Sequence, residues 1–356
     1  MSLSRRRLLA SAAGLSAVIA GLSACNASAG PENAAPSGSA AAGGVEPGAY
    51  PVTIKHKFGE TTLTEEPKRV VTAGLKEQDD CLAVGVVPVA ATTWFDLDGD
   101  PLIGRWAKEA LGSAQTSADQ TPTKLTYVDR LEFEKIAAAA PDLIVVIYSA
   151  IKQADYDKLS KIAPTIAQSA DHDDWGVPWD VQATMVGRAL GRPALMAEKV
   201  AAAKKSIADT VAAHPEFAGK SGVVATPWEG VFVYGVQDPR PRLLTELGMT
   251  LPPDLDKATG SAWGGNLSAE RVDLLDVDAM IWFVEGENKS EVVKNKAYAS
   301  LAVHKEGRDI FTNPGDGVYE AFSFLTVLSM GYLLANLAPR LSTALDGDPG
   351  TSTDPA

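Results

Sequence analysis

The sequence is poor in the residues from which disulfides, metal sites and nucleic-acid-binding surfaces are built. Its 356 residues include only two cysteines and four histidines. Positive charge is also scarce, because 32 lysines and arginines stand against 45 aspartates and glutamates, and the formal net charge is −13. Nucleic-acid-binding domains need basic patches, so this balance argues against a nucleic acid as the partner.

Motifs of the common enzyme classes are missing as well. The sequence has no G-x-S-x-G nucleophile motif, no P-loop and no H-E-x-x-H zinc motif. The stretches AGLKEQDD and GSAWGG do not match the dinucleotide motif G-x-G-x-x-G. We therefore expect a protein that is not an enzyme. An enzyme on a Rossmann-like scaffold stays an alternative, and turnover of a nicotinamide or acyl substrate would support it.

Only the N-terminus resembles a membrane segment. Arginines at positions 5–7 precede an apolar stretch over residues 8–20, whose thirteen residues are too few to span a bilayer. Leu22, the small residues Ser23 and Ala24, and the cysteine that follows resemble a bacterial lipobox, which implies lipid on Cys25. A plain secretory signal is the alternative. SRRRLL also resembles a twin-arginine signal, so both export routes stay open.

Composition and pattern divide the rest of the chain. Residues 26–50 are mostly Ala, Gly, Ser and Pro, a mixture that behaves as a flexible tether. Lipid on Cys25 would leave Cys81 without a partner, so we expect a buried, inert thiol there. The predicted parts are a signal peptide over 1–25, the tether over 26–50, an N-terminal lobe over 51–192, an inter-lobe helix over 193–215, a C-terminal lobe over 216–343 and a disordered tail over 344–356.

Short apolar strands alternate with helices in both halves, which predicts an α/β fold with parallel-type sheets. Alternation around Phe58 predicts a β-hairpin within residues 50–74. The apolar stretch 322–341 predicts one closing helix. The other predicted strands cover 69–73, 86–92, 142–148, 164–168, 221–226, 230–235 and 278–284.

A long amphipathic helix is predicted between the halves. Pro193 suits its first turn and Pro215 ends it. About 20 residues of helix span roughly 30 Å, enough to bridge two lobes. Its apolar residues recur at helical spacing, at Met196, Val200, Ala203, Ile207 and Val211.

One segment occurs twice. LEFEKIAAAAPDLIVV at 131–146 aligns without a gap with LSAERVDLLDVDAMIW at 267–282. The matched positions include Glu134 with Glu270 and Asp142 with Asp278. An offset of this length is too long for a solenoid repeat and predicts two similar domains.

The order of these parts resembles class III periplasmic-type binding proteins, the iron–siderophore and vitamin B12 family of ABC-importer receptors. The matching segments include PKRVVTAGLKEQDDCLAVGVVPVA, VPWDVQATMVGRALGRP and KEGRDIF, and the resemblance covers about residues 51–343, with the family domain over about 68–343. The hairpin and the Trp-rich WGVPWDVQ favour the ferric-siderophore branch. The resemblance implies two Rossmann-like lobes joined by one long rigid helix, with the ligand in the cleft between them.

Ligand-binding residues are expected just after the strand ends, where open α/β sheets bind their ligands. Aromatic faces suit the apolar shell of a siderophore complex, and Arg or Lys suits its oxygens. Trp175 and Trp179 precede the connecting helix, where we expect packing. The candidates are Lys76, Trp94, Tyr148, Trp228, Tyr234, Arg240, Arg242 and Trp263.

The resemblance also implies partners. Glu134 and Glu270 correspond to lobe-tip glutamates that meet arginines of the two permease subunits; a charge favoured at a helix start is the alternative. The implied protein is a monomer without a cofactor, which is anchored at the extracytoplasmic face of the cell membrane and carries a ferric siderophore.

The sequence offers less for other ligand classes. Direct metal binding needs several converging ligands, and three of the four histidines, His56, His214 and His304, lie away from the expected cleft. The fourth, His172, is in the stretch DHDDW. The acidic DHDDW is expected to be a solvated loop. Haem would need an axial ligand such as Tyr148, and no second ligand supports it. A receptor for haem, cobalamin or another metal chelate therefore remains the alternative.

Overall fold

The protein is described by a computed structural model that covers residues 44–93, 102–114, 121–126, 130–351 and 353. Cys25 lies outside these residues. Short 3-10 helices occur at Arg105–Ala107, Pro215–Phe217 and Ala269–Leu275. The strands are β1 (Val52–His56), β2 (Gly59–Leu63), β3 (Val70–Thr72), β4 (Ala90–Thr93), β5 (Thr123–Thr126), β6 (Leu143–Val146), β7 (Thr165–Ala167), β8 (Gly222–Thr226), β9 (Phe232–Tyr234), β10 (Gly264–Asn266), β11 (Ala279–Phe283) and β12 (Asp309–Thr312).

The α-helices lie between these strands and after the last one. None of the helices in the described ranges has the length and apolar character to cross a membrane. The α-helices are α1 (Glu77–Ala83), α2 (Lys108–Ala114), α3 (Phe133–Ala138), α4 (Gln153–Leu159), α5 (Trp179–Ala189), α6 (Pro193–Ala213), α7 (Pro239–Glu246), α8 (Leu255–Thr259), α9 (Asn288–Lys294), α10 (Lys296–Ala299), α11 (Ala302–Lys305), α12 (Val318–Phe324) and α13 (Ser329–Ala344).

The first half forms a parallel sheet of five strands in the order β5-β4-β3-β6-β7. Its central strands are buried along their whole length, as expected for a parallel sheet that is covered on both faces. The predicted hairpin is confirmed, because β1 pairs antiparallel with β2 from Val52 opposite Leu63 to His56 opposite Gly59. The strand β5 was not predicted.

The second half forms a five-stranded sheet in the order β10-β9-β8-β11-β12. It is only partly parallel. The strands β8, β11 and β12 run parallel, whereas β9 is antiparallel to β8 and β10 is antiparallel to β9. The reason lies in the short connection between Thr226 and Phe232, because a parallel crossover needs about a dozen residues and a hairpin does not.

The repeated segment occupies the same place in both halves. It leads into β6 in the first sheet and into β11 in the second, and each of these strands is fourth in its sheet order. The helices that precede them differ. The first copy is the α-helix α3, but the second is the 3-10 helix Ala269–Leu275, which is interrupted by non-helical backbone at Arg271.

The long helix α6 has 21 residues and starts at Pro193, as predicted. It ends at Ala213, and Pro215 begins a separate 3-10 turn. Met196 packs in the core of the first sheet, whereas Ala203 and Ile207 pack in the core of the second. The helix therefore contacts the hydrophobic cores of both halves.

The predicted closing helix over 322–341 is wrong, because two helices, α12 and α13, cover this region. Leu325 has the left-handed φ of 43°, which ends α12. Thr326 then donates its hydroxyl to Asp79 of the first half, and its backbone N–H bonds to Ser329. Within the expected tail, Thr353 is buried and its backbone oxygen accepts a hydrogen bond from Arg340.

Candidate functional site

The helix α1 follows β3 and is buried along its entire length. Oε1 of Glu77 accepts hydrogen bonds from the backbone N–H groups of Ile147 and Tyr148, each at 2.6 Å. Oε2 accepts from the N–H of Lys76 at 3.1 Å. This carboxylate therefore ties the segment after β3 to the segment after β6 and brings Lys76 near Tyr148.

Lys76 and Tyr148 form a buried pair. Nζ of Lys76 lies 4.0 Å from the centroid of the Tyr148 ring, a cation–π contact. Within the described part of the chain this Nζ has no hydrogen-bond partner. Burial lowers the pKa of the Lys76 amine to about 8. Trp175 packs edge-on against Tyr148 with ring centroids 5.3 Å apart, which places Trp175 in a packing contact.

Arg240, in the second half, is fixed in place by hydrogen bonds. Its Nε and Nη2 donate to the two oxygens of Asp238 at 2.9 and 2.8 Å, and Asp238 also accepts from the backbone N–H of Arg240 at the start of α7. The guanidinium carbon lies 3.6 Å from the centroid of the Tyr234 ring. Burial opposes the charge, but Asp238 and Tyr234 more than offset it and raise the pKa of Arg240.

A cavity of about 660 Å³ opens beside Arg240. This size lies within the range of ligand pockets in proteins. Three predicted residues, Trp228, Tyr234 and Arg240, are in its wall, and Trp228 is 59% exposed. The described residues of the wall are Thr226, Pro227, Trp228, Tyr234, Arg240, Phe283, Glu285, Asn288, Pro314, Tyr319, Glu320 and Ser323.

Several wall residues were not predicted. The rings of Phe283 and Tyr319 are tilted against each other with centroids 5.0 Å apart. The Tyr319 hydroxyl donates to Glu285. Glu285 follows the predicted strand 278–284 directly, so the rule applied to the other strand ends would have found it. Tyr319 lies on α12 and no sequence signal marks it. The same rule does not account for Tyr234, because β9 runs antiparallel.

Arg242 points its guanidinium at backbone carbonyls. It donates to the oxygen of Gln237 at 2.7 Å and to the oxygen of Gly176 at 3.2 and 3.3 Å. Gly176 belongs to the first half, so this contact joins the two halves. Arg242 is not in the described wall of the cavity.

Trp263 lies beside the cavity wall. Its ring centroid is 5.3 Å from that of Phe232, which also contacts the ring of Trp228 at 5.9 Å. Phe232 therefore connects the two tryptophans in one aromatic row. Trp94 lies outside the described residues.

The first half meets the second near the cavity through Asp79 of α1. Its Oδ2 accepts from Nε1 of Trp106 at 2.7 Å and from the hydroxyl of Thr326 at 2.6 Å. The Trp106 ring packs edge-on against Phe324 of α12. A buried carboxylate thus holds the two halves together at this point.

The two duplicated glutamates are on the surface. Glu134 and Glu270 are both exposed, and each is in the first turn of its helix. The described residues show no ion pair for either. Glu134 lines a surface groove of about 580 Å³.

Three of the four histidines make local contacts. Nε2 of His56 is 3.0 Å from the hydroxyl of Thr61, and burial lowers the pKa of His56. Nδ1 of His304 is 2.6 Å from Asp309, and Nδ1 of His214 is 2.9 Å from Glu216. Over the described ranges no group of three or more His, Cys, Asp or Glu could hold a metal ion. Cys81 is a buried free thiol, as predicted, and burial raises its pKa.

Comparison with known proteins identifies the family. The family described as periplasmic binding protein matches residues 88–314, more than half of the chain. The chain belongs to the periplasmic binding protein family. Membership confirms the resemblance in the sequence and places the chain among substrate-binding proteins.

Solved structures and a curated relative agree with this assignment. A periplasmic solute-binding protein of Mycobacterium smegmatis is 32% identical with a TM-score of 0.71, and the match covers 83% of this chain and 98% of that one. PiaA of Streptococcus pneumoniae, solved in complex with ferrichrome, is 25% identical with a TM-score of 0.71 over 83% of this chain and 99% of that one. The ABC transporter substrate-binding lipoprotein YhfQ of Bacillus subtilis is 25% identical over 72% of this chain and 80% of its own length.

Proposed function

We propose that this periplasmic binding protein captures a ferric siderophore in the cavity beside Arg240 and delivers it to the permease of an ABC importer. The observation that carries the proposal is the aromatic cavity itself. Trp228, Tyr234, Phe283 and Tyr319 supply ring faces around one fixed guanidinium. A siderophore complex presents a large, partly apolar shell with oxygens around the iron, and this wall can contact both parts.

The relatives support the same ligand class. PiaA holds ferrichrome in a fold that aligns with 83% of this chain. The iron travels as part of the cargo, so the protein needs no metal ligands of its own. The proposal extends to Lys76, Tyr148, Trp263 and Trp94 as residues that contact the ligand or position those that do, and to Arg242 as a residue that holds the two halves of the binding protein together.

We also propose that the protein works as a monomer on the extracytoplasmic face of the cell membrane. Lipid on Cys25 and a flexible tether would hold it there. YhfQ, a relative, is described as a lipoprotein. Replacing Cys25 with serine should abolish labelling by a fatty-acid probe; label that persists in the serine variant contradicts the anchor. Glu134 and Glu270 are proposed to dock the two lobes onto the permease.

Intrinsic tryptophan fluorescence tests the ligand. Titration of the full chain with ferric siderophores should quench the emission at submicromolar concentration, because Trp228 lies in the cavity wall. Iron without a siderophore should give no such response. A protein that responds to haem, to cobalamin or to free iron, and to no ferric siderophore, does not have the proposed function.

A further inference from the structure

The charges around the cavity are unusual for a site that would receive an anion. Arg240 is the basic residue in the described wall, and Asp238 already neutralises it through two hydrogen bonds. Two carboxylates, Glu285 and Glu320, are in the same wall. The wall therefore offers an incoming ligand no free positive charge.

Neighbouring cations do not change this balance. Arg105 donates to the carbonyl oxygen of Gly315, the residue after Pro314 of the cavity wall, at 3.2 Å. Lys76 lies behind the Tyr148 ring and is followed in α1 by Glu77, Asp79 and Asp80. Both cations are therefore engaged in contacts of their own.

Three internal stretches outside the described residues contain no basic residue either. Residues 94–101 read WFDLDGDP, 115–120 read QTSADQ and 127–129 read YVD. They contain aspartates and no lysine, arginine or histidine.

Siderophore classes differ in the charge of their ferric complexes. Three singly charged hydroxamates balance the charge of the ferric ion, so such a complex is neutral, or positive when it carries an ammonium tail. Three doubly charged catecholates leave the complex triply negative. A buried or half-buried anion needs a matching cation, and an unmatched one is rejected.

We propose, on the basis of the function proposed above, that this cavity selects neutral or positively charged ferric hydroxamate complexes and excludes triply negative catecholate complexes. The aromatic faces of Trp228, Phe283 and Tyr319 contact the uncharged shell. Glu285 is exposed at the rim and accepts from an ammonium tail, which the neighbouring rings also attract.

The test compares three ferric complexes of different charge on the full chain by fluorescence quenching. The probes are ferrichrome, which is neutral, ferrioxamine B, which carries an ammonium group, and ferric enterobactin, which is triply negative. We expect the first two to bind at least about tenfold more tightly than ferric enterobactin, a difference of about 1.4 kcal/mol. Added salt should reduce the difference in affinity between the hydroxamate complexes and ferric enterobactin, because it screens the charge of the exposed carboxylate.

The variant Glu285→Gln isolates the rim charge, since glutamine keeps an oxygen that can accept from Tyr319. It should weaken the binding of ferrioxamine B several-fold more than the binding of ferrichrome, and it should strengthen the binding of ferric enterobactin. Glu60→Gln removes the same charge from the exposed hairpin and should change none of the three affinities.

The possible failures are distinct. Ferric enterobactin that binds as tightly as the hydroxamates, or more tightly, overturns the charge selection and leaves the siderophore function intact. If none of the three complexes binds, the proposed function fails and the charge selection fails with it. Equal effects of Glu285→Gln on all three probes would show that the rim charge takes no part in selection.

Discussion

Asp142 and Asp278 make the same kind of contact in the two halves of the molecule. Asp142 accepts hydrogen bonds from the backbone N–H groups of Lys68 and Arg69 at 2.7 and 2.8 Å, just before β3. Asp278 accepts from the backbone N–H of Ser221 at 2.8 Å, just before β8. In each sheet the aspartate before the fourth strand therefore holds the start of the third strand.

Alanine at either aspartate should destabilise the protein. Each change removes hydrogen bonds from backbone N–H groups to a carboxylate, and we expect a loss of about 1–3 kcal/mol in the free energy of unfolding. The two losses should add, because the sites are in different sheets. Urea unfolding measures them. Asp157→Ala, at an exposed helix position, is the control, and a loss no larger than that of the control would show the contact to be unimportant.

Trp228→Ala should weaken ligand binding without lowering the melting temperature. Its side chain is 59% exposed and contributes little to the core. We expect about a tenfold loss of siderophore affinity, which corresponds to about 1.4 kcal/mol. Trp179→Ala is the matched control: Trp179 is 5% exposed, so its loss should cost about 3–5 kcal/mol of stability. Unchanged affinity in Trp228→Ala would show that the ligand does not contact this wall.

Arg242→Ala should act mainly on stability. The guanidinium bonds to the carbonyls of Gly176 and Gln237, and its removal leaves those oxygens without their charged donor. We expect about 1.5–3 kcal/mol less stability and a small change in affinity for the folded protein. Calorimetry and ligand titration on the same sample separate the two effects. A large loss of affinity at unchanged stability would support the ligand contact predicted from the sequence.

Asp79 should make stability depend on pH. Burial raises its pKa to about 6, against the lowering effect of the hydrogen bonds from Thr326 and Trp106. An unfolded aspartate loses its proton near pH 4, so between roughly pH 4 and 6 the folded state binds more protons than the unfolded state. The contribution of Asp79 to stability should therefore fall as pH rises through this window, by on the order of 1–3 kcal/mol.

The variant Asp79→Asn tests this assignment. Asparagine does not titrate, so the fall in stability between pH 4 and 6 should be smaller than in the wild type. The same slope in Asp79→Asn and in the wild type would mean that another group causes it.

Charge reversal at the duplicated glutamates tests the permease contact. Glu134→Lys together with Glu270→Lys should leave the fold and the ligand affinity near wild type, because both side chains are exposed. The same double variant should abolish transport and receptor-stimulated ATP hydrolysis in the reconstituted importer, since complementary charge orients the docking partners. Glu60→Lys with Glu291→Lys is a matched control on exposed sites. Transport that survives the reversal would contradict the permease contact and leave the two glutamates as charges favoured at helix starts.

The sequence by itself determined the features that depend on local pattern. Period-two alternation located the hairpin, short apolar runs located β3, β6, β8 and β11, and helical spacing located α6 from its proline start. The duplicated segment showed that there are two related halves. These features follow from neighbours in the chain, and local propensity and periodicity are sufficient to specify them.

The tertiary structure decided the rest. It paired β9 antiparallel, broke the closing helix at Leu325 so that Thr326 could reach Asp79, and set Lys76 over the Tyr148 ring. It also turned Arg242 to backbone carbonyls and brought Tyr319 to Glu285. These contacts either join residues that are far apart in the sequence or are one of several contacts that the same side chain could make. Burial in the folded protein, which no local pattern encodes, selects among them.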